Sequence, residues 1–399
     1  MFTLEEIEKY CNVLLWGVKK ARNAKIKKLE TFLIRFDRLA LPIVEELYIR
    51  LLKEGLNPVL KFMATSKMER AFFEISTLGQ LQFIAPGETT LFKNLGGGIY
   101  ILAPESLTHL EGVDPKRIST ALVARKKLKD ILDQRENKRL FGWTLTMIPT
   151  DELAQKAGTD LITYKQQVVE ACFLDKDDPV ASWEDVFRAA QDIKEWLNNM
   201  GIVNLRVESQ NIRLKIPFGP SRRWVGISGH NIPSFELFYS PDWRGVEGRY
   251  FANLPSFRNG NYVEGVNLVF KDGKVVEAQA LKGEKFLLSQ LDMDKGSRMV
   301  GEFSLTDKRF SRINRFMANT LYDENYGGDY GNCHLALGAS YVETYNGNKS
   351  KLDKTALKNL GFNNSALHWD LINTEDKVVI AELSQGKERV IYEKGSFLY

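Results

Sequence analysis

Cysteine is scarce in this chain: Cys11, Cys172 and Cys333 are the only three in 399 residues. Widely spaced and odd in number, they exclude a disulfide framework and any CxxC zinc site. An excess of one charge is missing too. The net charge of +4 is small for this length and argues against the concentrated basic face of a nucleic-acid binder. The one basic run, "VKKARNAKIKK" (Val18 to Lys28), reads as the solvated side of a helix. No apolar run reaches the roughly 18 residues needed to span a bilayer. The opening "MFTLEEIEKYCNVLL" carries acids where a signal peptide needs positive charge. A cytoplasmic, soluble protein with no nucleic-acid and no membrane partner is therefore expected. Familiar catalytic signatures are lacking as well: no P-loop, no HExxH helix and no GxSxG elbow occurs. The "LGGG" at Leu95 to Gly98 precedes a strand rather than following one, which suits a turn and not a dinucleotide fingerprint.

What remains is the composition of a globular protein, with 44% hydrophobic and 27% charged residues. The length predicts two domains of about 150–200 residues each. In the first half, "TFLIRF", "NPVLKFMA", "GGIYILAP" and "FGWTLTMIP" read as short buried strands. Between them lie helical stretches such as "LPIVEELYIRLLKEG" and "DPKRISTALVARKKLKDILDQR", the latter with Asp114 at the N-cap and Pro115 behind it. This alternation predicts an α/β domain with an open, mostly parallel sheet over residues 1–190. Beyond the helix "SWEDVFRAAQDIKEWLNNMG" the pattern changes. "VNLRVES", "QNIRLKI", "FELFYS", "MVGEFSL", "HLALGASY", "ALHWDLI" and "KVVIAEL" are strand-like, and "VNLVFKDGKVVEAQA" is a hairpin turning at Asp272–Gly273. An α+β, β-rich domain is expected over residues 191–399.

Oddly placed polar residues gather in that second domain. In "NSALHWDLI", His368 and Asp370 are two apart, so on a strand they share one face while Leu367, Trp369 and Leu371 share the other. A core His–Asp hydrogen bond and a pair of metal ligands both fit that pattern. Glu236 sits among aromatics in "SFELFY", Glu302 among apolar residues in "MVGEFSL", and Glu324, His334 and Tyr341 fall within "LYDENYGGDYGNCHLALGASY". Singly, each has a structural explanation. Together they place four acids and two histidines in segments that want burial. Carboxylates sharing an apolar setting raise one another's pKa unless cations neutralise them. A pair of divalent metals is the usual remedy in carboxylate-rich hydrolases, with Zn, Co, Mn and Mg all compatible with such donors.

The ordered motifs "GHNIPSFELFYSP", "GEFSL", "LYDEN…CHLALGASY" and "NSALHWDLI" resemble the thermophilic-type metalloaminopeptidases of the aminopeptidase T and aminopeptidase S kind. "IPTDELAQKAGTD" in the first half is similar to a further family segment. The sequence departs in three places: Phe235 replaces a usual Gly, "GGDYGN" lengthens the stretch between Glu324 and His334, and "LTDKRFSRINRF" after Glu302 is unusually basic. The resemblance implies a two-metal centre held by Glu236, Glu302, Glu324, His334, His368 and Asp370, with Glu302 bridging. It also implies that Tyr341 contacts metal or the tetrahedral intermediate, that short peptides are the substrates, and that the protein is a homodimer. Glu302 is in addition the candidate for moving a proton. A dinuclear amidase or esterase on another substrate and a non-catalytic binding protein are the alternative readings.

Overall fold

The computed structural model describes residues 2–349 and 352–399. The chain forms two compact units. One runs to Phe187 and takes in Ile227–Ser234; the other comprises Arg188–Gly226 and Phe235–Tyr399.

In the first unit, buried runs form β1 (Thr31–Phe36), β3 (Leu95–Leu102) and β4 (Gly142–Met147), whereas β2 (Asn57–Phe62), expected to be buried, is half-exposed because it is the edge strand. Helix Leu41–Lys53 connects β1 to β2, and helix Pro115–Asn137 lies between β3 and β4. Asp114 starts the latter by accepting the Lys116 N–H at 3.0 Å, with proline at the first helical position. After β4 and helix Pro179–Asn198, the chain makes the antiparallel pair β5 (Ile202–Ser209) and β6 (Arg213–Pro217) of the second unit. It then returns as β7 (Asn231–Ile232), which pairs with β4. The finished sheet is parallel throughout, in the order β2-β1-β3-β4-β7. A single cut near residue 190 thus leaves out one return segment. That return needs Gly229, in the left-handed region at φ +87°, where a Cβ would collide with Gly17 of helix Leu4–Arg22.

The second unit is antiparallel. Its strands continue as β8 (Glu236–Tyr239), β9 (Glu247–Ala252), β10 (Ser256–Arg258), β11 (Asn261–Val263), β12 (Val266–Lys271), β13 (Lys274–Gln279), β14 (Val300–Thr306) and β15 (Asn332–Gly338). β16 (His368–Asn373), β17 (Lys377–Leu383), β18 (Glu388–Glu393) and β19 (Ser396–Phe397) complete it. Eight of these strands form one sheet in the order β13-β12-β9-β6-β5-β17-β18-β19. The β12–β13 turn carries Asp272 and Gly273 at φ 49° and 76°, the left-handed pair a two-residue hairpin requires. A smaller sheet, β16-β15-β14-β8, holds nearly all the oddly placed acids and histidines. The α/β and β-rich architecture is the one the sequence pattern predicts. Among the described residues, no helix is long and apolar enough to cross a membrane.

Candidate metal centre

Residues directly opposite one another in an antiparallel ladder point to the same face. Across the small sheet, Glu236 faces Thr306, Ser304 faces His334, Glu302 faces Ala336, and Ala336 in turn faces Asp370. His368 lies opposite Gly338. Glu236, Glu302, Ser304, His334, His368 and Asp370 therefore share one face of four adjacent strands. Leu237, Tyr239, Phe303, Leu305, Leu335, Leu337, Trp369 and Leu371 alternate onto the other face and are buried there. Ser304, Ala336 and Gly338 are small, which leaves room on the polar face for long acids from their neighbours.

The Gly-Glu step has its own cause. The β14–β15 register slips between Val300 and Glu302, and a Cβ on Gly301 would collide with the carbonyls of Gly338 and Ala339. Only glycine permits that approach, and the bulge aims Glu302 inward.

The side chains converge. Glu302 Oε1 lies 3.2 Å from His334 Nε2, while its other oxygen, Oε2, lies 3.7 Å from His368 Nε2. Glu236 Oε2 is 3.3 Å from His334 Nε2 and accepts the Ser304 hydroxyl at 2.6 Å. Asp370 Oδ1 is 3.3 Å from His368 Nε2 and 3.8 Å from His334 Nε2. The His368 Nδ1 meets the Ala339 carbonyl at 2.9 Å. A carbonyl only accepts, so Nδ1 carries a proton and Nε2 is the ring nitrogen that faces the carboxylates. Side-chain exposure rises from 1% at His334 to 18% at His368, so the cluster opens toward solvent at the β16 edge.

Burial pushes Glu302 up to about 8, with Asp370 and Glu343 adding to the rise and His368 opposing it. Burial likewise pushes Glu236 up to about 7, against the pull of His334 and with the help of Glu302. Asp370 goes the other way. Burial would raise it, but His368, His334 and Arg258 outweigh that and hold it well below the usual carboxylate range. His368 is raised, because Asp370 and Glu302 outweigh its burial. Three carboxylates thus crowd two imidazoles, and for want of positive charge two of them, Glu302 and Glu236, are raised.

Glu324 and Tyr341 come to the same region by different routes. Glu324 caps the short helix Thr320–Asp323, is buried, and accepts the Thr306 hydroxyl at its carbonyl at 3.0 Å. Its carboxylate is not in the three-donor group Glu236, Glu302 and His334, whose ligand atoms lie within 4.8 Å of one another. The Tyr341 ring stands edge-on to His368, with centroids 4.7 Å apart. Its amide N–H is fixed by the Ser240 hydroxyl at 2.8 Å. Sequence reasoning missed Asn325, whose side-chain oxygen accepts the Phe235 amide at 2.5 Å and so braces the residue before Glu236. Its position in "DEN" was the available signal.

The residues fit a divalent cation. Glu302 Oε2 is buried without a hydrogen-bond partner among the described residues, a costly state for a carboxylate unless a cation faces it. Oxygen and imidazole donors without thiolate suit Zn, Co, Mn or Mg. Fold and donor set together define a metal-dependent protein built on an antiparallel sheet. The chain belongs to the thermophilic metalloprotease family M29, whose description matches residues 3–397. It therefore uses divalent metal and acts on peptide bonds. It is 33% identical over 311 residues to Aminopeptidase 2 of Geobacillus stearothermophilus, covering 73% of each chain. To Aminopeptidase AmpS of Bacillus subtilis it is 27% identical, over 79% of this chain and 80% of the relative. The solved structure of AmpT from Thermus thermophilus shares the fold, with a TM-score of 0.77 at 21% identity over 98% of this chain and 99% of that one.

Proposed function

We propose that this chain is an aminopeptidase whose cluster holds two divalent ions, with Glu236, Glu302, Glu324, His334, His368 and Asp370 as their ligands. The observation that carries this is Glu302, which turns one oxygen toward each histidine, the disposition of a carboxylate shared by two cations. Ions held there supply Lewis acidity toward a scissile carbonyl and lower the pKa of water so that hydroxide is available near neutral pH. The surrounding residues do the rest. The carboxylates around the ions receive the free α-amine of the peptide, which restricts cleavage to N-terminal residues. Tyr341, held by Ser240 and packed on His368, donates its hydroxyl hydrogen to the developing oxyanion. Glu302, whose oxygens span the cluster, carries the proton from the attacking water to the leaving amine.

Catalysis is assigned to residues 191–399, with short peptides as substrates. The same reading extends to a cytoplasmic homodimer. Protein stripped with EDTA should regain hydrolysis of leucine and arginine chromogenic amides on adding Zn²⁺, Co²⁺, Mn²⁺ or Mg²⁺, and N-acetylated amides should stay intact. Silence from folded protein with every metal and substrate would overturn the assignment. Sedimentation separately tests the dimer.

A further inference from the structure

His368 stands at an end of the small sheet. It is the first residue of β16, and its partner Gly338 is the last of β15. The ladder therefore restrains it on one side only, whereas Asp370, two residues further in, has paired neighbours on both. Strand ends open most readily unless something outside the ladder ties them down.

The tie comes from "DKGS" (Asp294 to Ser297), in the loop between helix Glu284–Leu291 and β14. Asp294 Oδ1 accepts the Gly296 N–H at 2.9 Å, the Ser297 hydroxyl at 3.1 Å and the Ser365 hydroxyl at 2.8 Å. Its Oδ2 accepts the Ala366 N–H at 2.6 Å. A carboxylate can take so many donors at once, where a hydroxyl or an amide cannot. The Ser365 oxygen in turn accepts the Leu367 N–H at 3.0 Å. Asp294 thus fixes the three residues that lead into His368.

The same loop reaches the acceptor that orients the His368 ring. The Asn363 side-chain amide donates to the Gly296 carbonyl at 2.8 Å and to the Gly338 carbonyl at 2.5 Å. The Ala339 N–H donates to the Leu367 carbonyl at 2.7 Å, and the Ala339 carbonyl receives His368 Nδ1. Such close approach needs Gly296, where a Cβ would collide with the Asn364 carbonyl. Ser297, Asn363 and Ser365 are buried, so removing the shared acceptor would strand their polar groups away from water. None of these residues is among the proposed ligands, yet all of them converge on one.

We propose that Asp294 is the positioning residue of His368. Through Ser365, Ala366 and the loop bound by Asn363, it sets the imidazole toward Glu302 and Asp370 and so governs the ion held on that side. This rests on the two-metal reading above. Partners that orient a ligating histidine from behind are worth about 10–100-fold in metal affinity.

The test uses the full chain with its four histidines labelled with ¹⁵N in the rings, His368→Gln identifying the His368 signals. In metal-free wild type the Nδ1–H held by Ala339 should give a resolved proton signal. Asp294→Ala should abolish it and leave the His109 and His230 signals in place. Asp294→Asn, which keeps the oxygen shared by Gly296, Ser297 and Ser365, should restore it in part. Ser365→Ala should act as Asp294→Ala does and serves if that variant misfolds. Calorimetric titration with Co²⁺ reads the consequence: Asp294→Ala should weaken one ion about 10–100-fold and leave the other unchanged, whereas a general loss of structure would weaken both.

A His368 signal that is absent from wild type, or that persists in both alanine variants, overturns the proposal. Two ions whose affinities are unchanged or equally weakened overturn it as well. If wild type takes up no ion while the His368 signal follows Asp294, the two-metal reading falls and the positioning of the ring stands.

Discussion

Each unit of the molecule buries a histidine against a carboxylate, and the two settings differ in kind. In the first unit, His230 Nδ1 meets the Ser228 hydroxyl at 2.6 Å and Nε2 meets Glu136 at 2.7 Å. The other Glu136 oxygen accepts the Trp143 indole at 3.2 Å. Burial would raise Glu136, but His230 and Trp143 outweigh it and the carboxyl is held below its usual value. One acid meets one base, and every oxygen is used. In the second unit, three acids meet two imidazoles, two of the acids are raised, and Glu302 Oε2 has no hydrogen-bond partner among the described residues. Balance makes a structural pair; an excess of buried acid makes a cation site.

Ligand substitution should divide the two settings most sharply. Glu302→Gln is expected to lower kcat/KM by more than about a hundredfold, at least what loss of a residue merely supporting a ligand costs, together with loss of bound metal. Glu136→Gln should leave kcat/KM within about twofold. A smaller loss is expected from Tyr341→Phe, about 10²-fold in kcat as for removal of one oxyanion donor, with metal content unchanged. Metal content that falls with it would make Tyr341 a ligand.

Acidity separates the settings again. Glu302 and Glu236 are raised, so between their ordinary value and about 7–8 the folded, metal-free protein binds more protons than the unfolded chain. The raised His368 acts in the same sense above its ordinary value. Stability of the metal-free protein should therefore fall from pH 5 to pH 8 and be restored by divalent metal. Thermal melts across that range, with and without EDTA, read this directly; a flat metal-free profile would contradict it. Glu136 carries the opposite sign. Its stabilisation is present above the ordinary carboxylate value and lost as pH falls through its lowered one. Glu136→Gln should cost about 1–2 kcal/mol, less than a fully buried pair because the acid is partly exposed, and denaturant melts should show the loss at pH 7 and its shrinkage as pH is lowered.

Much of the fold was legible because its signals are local. The runs of β1 to β4 are short and apolar, the N-cap at Asp114 precedes a proline, and Asp272–Gly273 spells its own turn. What was not legible depends on pairing. β7 is only two residues long, too short for any periodicity, and exists through its bonds to β4. The alternation of His368 and Asp370 was readable from "HWD" alone. Their meeting with Glu302 was not, since it requires the β14–β15–β16 register and the slip at Gly301. Glu324 carries a family motif, and its fold position at the end of a short helix beside Thr306 comes only from tertiary structure.

Calorimetric titration of Co²⁺ or Zn²⁺ into metal-free protein at pH 7, for wild type and Glu302→Gln, counts the ions and their dependence on Glu302. Two equivalents per chain in wild type, with both sites weakened by the single substitution, is the predicted result. Binding of one ion or none, or two-site binding indifferent to Glu302, would contradict a centre built around a shared carboxylate.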